Sequence, residues 1–238
     1  MIEIENILKQ FGKLKALDNV SAACNAAECV ALIGPNGSGK TTLIKCILGM
    51  VVPDSGNILF NKKNISHQWH YREQIGYMPQ IGRYPDNMTI GQVIEMMKDI
   101  RQNKSGCDET LIENFDLKGM YGKRMRTLSG GTRQKVSASL AFLFNPQVLI
   151  LDEPTAGLDP LSSEILKEKI IEEKKKGKLI LITSHVLSEL DDLVSQVIYM
   201  QDGKLIFHKS LQQLHVDTGE IKLSKAIARI MNNHEQNN

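Results

Sequence analysis

Apolar positions along this chain fall into two kinds of run. Short unbroken runs read as buried strands, and runs spaced by three and four read as helices. At the start, Ile2, Ile4 and Asn6 alternate with Glu3, Glu5 and Ile7, which predicts strand. Val30-Ala-Leu-Ile33 is a short apolar run that ends at a Gly-rich turn, the pattern of a strand covered on both faces. Residues 41–49 follow with Leu43, Ile44, Ile47 and Leu48 at helical spacing, and Gly49 and Pro53 end that helix. From about 83 to 145 the chain becomes Met- and charge-rich. Ile90, Val93, Ile94, Met96 and Met97 predict one helix there, and Leu111, Ile112, Phe115 and Leu117 a short second one. Ser137–Phe144 predicts a third, stopped at Asn145-Pro146. Apolar runs then return at Val148–Leu151 and Leu179–Ile182, separated by a helix over about 161–176. Asp159-Pro160 supplies an N-cap and a first-turn proline for it. Val197–Met200 and Lys204–Phe207 flank Gln201-Asp202-Gly203 and predict a hairpin. Beyond about 215 the chain is polar, and its last seven residues are expected to fray.

The alternation of strand and helix gives an α/β core, about 1–82 and 146–214, interrupted by a helical lobe of about 83–145 and followed by a short tail of about 215–238. The chain has 238 residues, 42% hydrophobic and 24% charged, enough for a sizeable core. Twenty-nine basic residues nearly cancel twenty-seven acidic ones, so bulk charge argues for neither nucleic acid nor an anionic membrane as partner. No apolar run approaches the about 20 residues of a spanning helix. Met1-Ile-Glu-Ile-Glu-Asn6 has neither the basic nor the apolar part of a signal peptide. Cys24, Cys29, Cys46 and Cys107 form no CxxC pair and read as reduced thiols of a cytosolic protein.

The chemistry concentrates at the turn after Ile33. Gly34-Pro-Asn36-Gly37-Ser38-Gly39-Lys40-Thr41 fits the phosphate-binding loop pattern and lies between a strand and a helix. Small residues let backbone amides wrap phosphate, and the helix N-terminus adds partial positive charge. Lys40 is expected to reach the β- and γ-phosphates, the Thr41 hydroxyl to ligate Mg2+, and Thr42 to complete the nucleotide-binding set. Val148-Leu-Ile-Leu-Asp152-Glu153 delivers two acids from the end of an apolar strand, where open α/β sheets bind ligands. Asp152 is expected to hold Mg2+, and Glu153 to face the attacking water as general base. The two elements together predict a P-loop nucleoside triphosphatase with a mostly parallel sheet, N-terminal antiparallel strands and the inserted helical lobe.

Further motifs, in a fixed order over about residues 1–210, resemble the ATP-binding domain of ABC transporters. Leu128-Ser129-Gly130-Gly131 is similar to the signature of that family, Gln80 to its Q-loop, Ala156-Gly157-Leu158-Asp159 to its D-loop and Ser184-His185 to its switch histidine. Phe11 sits where an aromatic ring stacks on adenine. Thr132 departs from the glutamine that many members carry after the signature.

Ser129, Gly130 and Gly131 sit at the start of a predicted helix, an anion site of amides and one hydroxyl, and the resemblance implies that they bind the γ-phosphate held by a second subunit, so that two copies sandwich two ATP molecules. It further implies that Gln80 helps to organise Mg2+ and water, and that His185 contacts the γ-phosphate. A transmembrane permease is expected to dock near Gly82–Asn87, which places the chain on the cytoplasmic face of the inner membrane. A soluble assembly ATPase, such as that of iron–sulfur cluster assembly, is the competing expectation. Residues 128–136 and 184–187 also look similar to ATPases of export-type systems, including copper-processing ones that serve nitrous-oxide reductase maturation. The basic group Lys123, Arg124, Arg126, Arg133 and Lys135 flanks the signature and is a candidate aid to phosphate binding.

Overall fold

The computed structural model describes residues 1–102 and 106–235, with side chains through Met231 in the last helix. Strands β1 (Ile2–Phe11), β2 (Leu14–Cys24) and β3 (Cys29–Ile33) lead into helix α1 (Lys40–Ile47), then β4 (Ser55–Phe60), β5 (Lys63–Asn64) and β6 (Ile75–Met78). Helices α2 (Ile90–Ile100), α3 (Thr110–Asn114) and α4 (Gly130–Phe142) follow. Then come β7 (Val148–Asp152), α5 (Pro160–Lys175), β8 (Leu179–Thr183), β9 (Gln196–Gln201), β10 (Lys204–Ser210), α6 (Leu211–Thr218) and α7 (Leu223–Glu235). The chain divides into two units, Met1–Arg72 with Leu181–Asn238, and Glu73–Ile180.

In the first unit an antiparallel sheet has the order β2-β1-β4-β5. Ile2, Ile4 and Ile7 of β1 are buried while Glu5 and Asn6 are exposed; a register shift between Ile4 and Ile7 moves Ile7 inward despite the odd spacing. All five residues of β3 are buried, as its unbroken apolar run predicts. β3 pairs in parallel with β9, and β9 with β10 antiparallel. The β9–β10 turn places Asp202 at φ 48° and Gly203 at φ 75°, the left-handed pair of a type I′ hairpin.

The polar tail expected after about 215 is instead largely helical. Ser210 caps α6, its hydroxyl accepting from Gln213 N at 3.1 Å. Asp191 accepts from Leu223 N at 2.9 Å at the start of α7, whose Leu223, Ala226 and Ile227 are buried. Sparse apolar residues suffice here because only one stripe of α7 faces inward. Of the seven residues expected to fray, 232–235 continue α7, and 236–238 lie outside the described residues.

In the second unit β6 and β7 pair in parallel, from Ile75↔Val148 to Met78↔Leu151. Thr89 and Gln92 close a reciprocal cap on α2, whose Ile90, Val93 and Ile94 are buried. Met88, Met96 and Met97 are only half-buried at its edge. α4 starts at Gly130, matching the helix start expected at Ser129–Gly131, and runs on through the apolar stretch from Ser137; Ser129 caps it and the two glycines accept helical geometry despite their low propensity. α5 begins as read: Asp159 accepts from Ser162 N at 3.0 Å and Pro160 occupies the first turn. Near the end of α5, fully buried Glu173 meets Lys169 at 3.0 Å, Lys176 at 2.9 Å and Lys178, and Lys169 also meets Asp108 at 2.6 Å. Burial pushes the Cys24 thiol up to about 12 and the Cys46 thiol to about 11, which keeps both unreactive. Among the described residues no helix is long and apolar enough to cross a membrane.

Candidate active site

The phosphate loop belongs to the first unit. β3 runs into it at Gly34, whose φ is 148° and where a Cβ would lie 2.0 Å from the Met200 carbonyl oxygen of β9. No side chain fits, so the loop is pressed onto the end of β9. Asn36 and Gly37 face open solvent, and a Cβ at Gly37 would meet nothing within 4 Å. Lys40 Nζ donates to the carbonyls of Gly34 at 2.7 Å and Pro35 at 3.0 Å, so the ammonium lies folded across the loop's own backbone. Ser38 is 1% exposed, and its Oγ has no hydrogen-bond partner among the described residues.

Thr41, exposed, and Thr42, half-buried, occupy the first turn of α1, which has no acidic residue to offset its positive end. An ammonium held by carbonyls, an unpaired buried hydroxyl, an open face and a helix N-terminus fit a polyphosphate. The Thr41 hydroxyl is a hard oxygen donor suited to the magnesium that accompanies one. Phe11 ends β1 half exposed, with Lys9 Nζ 5.4 Å from its ring centre. His185, exposed, follows β8 in a turn fixed by Ser184 Oγ, which accepts from Val186 N at 3.0 Å.

The second unit carries the acids. β7 ends on Asp152, 8% exposed. Glu153 follows at φ 52°, a left-handed conformation uncommon for a non-glycine and further disfavoured before Pro154. Because β6 lies parallel to β7, Gln80 and Asp152 leave the same edge of the strand pair. Burial raises the Tyr77 phenol, and the Asp152 charge adds to that. Ser129 and Gly130 are exposed at the N-terminus of α4, and a Cβ at Gly130 would meet nothing within 4 Å. Thr132 replaces the family's glutamine without emptying the cap: its amide donates to Ser129 Oγ at 3.2 Å, and the two hydroxyls lie 2.9 Å apart.

The site residues thus divide. Phe11, Asn36, Ser38, Lys40, Thr41, Thr42, His185 and the loop glycines Gly34, Gly37 and Gly39 belong to the first unit. Gln80, Ser129, Gly130, Gly131, Asp152 and Glu153 belong to the second.

Two of the five basic residues beside the signature, Lys135 and Arg133, have partners within the chain. Lys135 Nζ lies 2.9 Å from the Asp159 carboxylate, and Arg133 donates to the Met125 carbonyl at 3.3 Å. The hydrogen bond from Lys135 holds the Asp159 carboxyl well below its ordinary range. Gln134 went unnoticed in the sequence, yet it is 6% exposed and donates Nε2 to the Glu153 carbonyl at 3.2 Å. The available signal was its helical spacing with buried Ala138 and Ala141.

A protein-family model described as ABC transporter matches residues 17–156. An uncharacterised ABC transporter ATP-binding protein of Bacillus subtilis, YxlF, is 34% identical over 220 residues, covering 90% of this chain and 72% of the relative. The lipopolysaccharide export system ATP-binding protein of Haemophilus influenzae is 34% identical over 226 residues, covering 91% of this chain and 93% of its own length. Among solved structures, an ATP-binding subunit of an ABC transporter superposes with a TM-score of 0.88 at 27% identity, covering 97% of this chain and 99% of the other.

Proposed function

Because the chain belongs to the ABC transporter family of ATP-binding proteins, and is an ATPase by that membership, we propose that two copies close around two ATP molecules and drive a separate membrane-embedded permease. One observation supports this reading. The chain has two open, glycine-bearing helix N-termini, one at Gly37–Thr41 and one at Ser129–Gly130, with nothing within 4 Å of a Cβ built at Gly37 or Gly130. A single nucleotide per chain needs only the first. The second is supplied to the partner copy, so nucleotide acts as the adhesive between them.

Each side chain then has a task. Adenine stacks on the exposed face of Phe11. Lys40 leaves the Gly34 and Pro35 carbonyls for the β- and γ-phosphates, and the Ser38 hydroxyl gains a partner it lacks within the loop. The Thr41 hydroxyl, the Asp152 carboxylate and the Gln80 amide oxygen would hold magnesium, which when bound neutralises charge on the phosphate oxygens. Glu153 takes a proton from the attacking water, and His185 donates to the γ-phosphate. From the partner, Ser129 and the amides of Gly130 and Gly131 complete the cradle. Positioning and charge stabilisation supply most of the rate. Hydrolysis removes the γ-phosphate from the signature side, and the copies separate, a population shift with a mechanical readout.

The permease docks at Gly82–Asn87 on the cytoplasmic face of the membrane. Within this segment the Asp86 carbonyl accepts from Arg126 N at 3.2 Å, just ahead of the signature. A push on this loop is therefore passed to the residues that lead into Ser129, the cap of α4.

Glu153→Gln tests the sandwich. It keeps the adhesive and removes hydrolysis, so ATP should drive the variant to twice the monomer mass in size-exclusion chromatography with light scattering. A variant that stays monomeric at saturating ATP contradicts the sandwich.

A further inference from the structure

Helix α4 does more than present the signature. Three of its residues reach the segment after β7. Gln134 Nε2 donates to the Glu153 carbonyl at 3.2 Å and lies 3.5 Å from the Pro154 carbonyl. Lys135 Nζ meets Asp159 at 2.9 Å. Gly131 packs so closely that a Cβ there would lie 2.7 Å from the Gly157 carbonyl oxygen. Contact is therefore made at the beginning, middle and end of 153–159.

The segment needs outside support. Glu153 holds a left-handed φ of 52° immediately before a proline, a conformation that persists only where surroundings over-determine it. The turn's internal bond, Ala156 N to the Glu153 carbonyl, is 3.2 Å long. The buried Gln134 amide bonds the same carbonyl from the side, so rotation of the Glu153 peptide would strand a buried donor.

We infer that Gln134 and Lys135 are positioning residues, which hold Glu153 and the D-loop in register with the signature of the same chain. The inference rests on the roles proposed above for Glu153 and the signature. It also adds a wire between the two sites of the dimer. The signature of one copy touches its partner's nucleotide, while Glu153 of that copy serves its own. Helix α4 starts at the signature and contacts the segment that holds Glu153, so occupancy at one site sets the base at the other. The wire is made of contacts inside one chain and needs no domain motion.

Steady-state hydrolysis of Gln134→Met, Lys135→Met and Lys135→Arg tests it, with ATP affinity by calorimetry and, in the Glu153→Gln background, the ATP-driven dimer by size-exclusion chromatography. Gln134→Met keeps the side-chain length and removes the donor. It should lower kcat roughly 10- to 100-fold, the cost of a displaced reacting group, with KM and ATP affinity held within about twofold. The Hill coefficient for ATP should fall toward one. Lys135→Met should shift the same way and Lys135→Arg should recover. On Glu153→Gln, where hydrolysis is already gone, Gln134→Met should leave the ATP-driven dimer intact, because it displaces a reacting group and not the adhesive. Wild-type kcat and cooperativity in both Met variants overturn the inference, as does loss of the ATP-driven dimer when Gln134→Met is added to Glu153→Gln. So does a fall in kcat shared by ATP affinity and melting temperature, which marks a merely structural residue. If Glu153→Gln itself turns over at the wild-type rate, the general-base reading falls and this inference with it. A dead Glu153→Gln beside an active Gln134→Met overturns the inference alone.

Discussion

Lys40→Met isolates a single charge at the heart of the phosphate loop. The thioether side chain keeps nearly the length of lysine and loses only the ammonium. In the loop that ammonium bonds two carbonyls, at 2.7 Å and 3.0 Å, and must leave them to reach phosphate. A unit charge about 4 Å from a phosphate charge is worth about 4 kcal/mol at an effective dielectric of 20. Two carbonyl bonds forfeited at about 1 kcal/mol each reduce that to about 2 kcal/mol. The dissociation constant for ATP should therefore rise about 30-fold. Stability should change little, because the Pro35 carbonyl is exposed and water replaces the lysine there. A loss of at most about 1 kcal/mol lowers the melting temperature by no more than about 4 °C. Isothermal titration calorimetry reads the first quantity and a thermal melt the second. An affinity within about twofold of wild type would show that Lys40 stays on the loop's carbonyls when nucleotide binds, and the phosphate assignment would fail.

Three other outcomes follow from the packing. Lys169→Met removes the cation shared by Asp108 and Glu173, and with two lysines left on Glu173 it should cost about 2 kcal/mol, read by urea unfolding at pH 7. Burial pushes Asp108 and Glu173 up, but hydrogen bonds from Lys169 to Asp108 and from Lys178, Lys176 and Lys169 to Glu173 outweigh it, and both carboxyls end below their ordinary values. Depressed carboxyls stabilise above their unfolded pKa of about 4 and lose that contribution as pH falls through the folded values. The melting temperature should thus hold from neutral pH to about 5 and drop below about 4, less steeply in Lys169→Met; identical acid slopes would refute the network. Gly131→Ala should reduce turnover with little change in ATP affinity, because its methyl must displace the Gly157 carbonyl only 2.7 Å away; wild-type turnover would show that this contact gives freely. Asp191→Ala removes the cap on α7 and should cost about 1 kcal/mol; hydrogen exchange should locate the loss in residues 223–231.

What could be read from the residues depended on whether a single local rule governed them. The β9–β10 hairpin was legible because Asp202-Gly203 demands left-handed φ, and α5 because Asp159-Pro160 starts helices. β3 was legible because five buried residues in a row leave no polar face. The apolar spacing from Ser137 shows only the second half of α4, because Gly130 and Gly131 lower helix propensity, while its start is legible at Ser129. The tail was read as polar because α7 buries only a narrow stripe, and its cap comes from distant Asp191. Gln134 stayed hidden for a similar reason. A lone glutamine among Arg133 and Lys135 looks solvated, and only the tertiary approach of the Glu153 carbonyl gives it a partner. The turn after β3 and the acids at the end of β7 were legible as positions because glycines and acids stand where the apolar strand runs stop. Pairing Lys135 with Asp159, rather than with phosphate, needed coordinates.

The central claim is that each ATP site is assembled from two copies, and complementation tests it most directly. Lys40→Met disables the phosphate loop of a copy, and Ser129→Arg blocks its signature. Each variant alone should hydrolyse almost no ATP. Mixed in equal amounts, half of the dimers would pair the intact loop of one variant with the intact signature of the other. Hydrolysis should then recover to at most about a quarter of the wild-type rate, with one working site in half of the dimers and less where the disabled site slows the working one. Activity in the mixture no greater than in either variant alone would contradict the composite site.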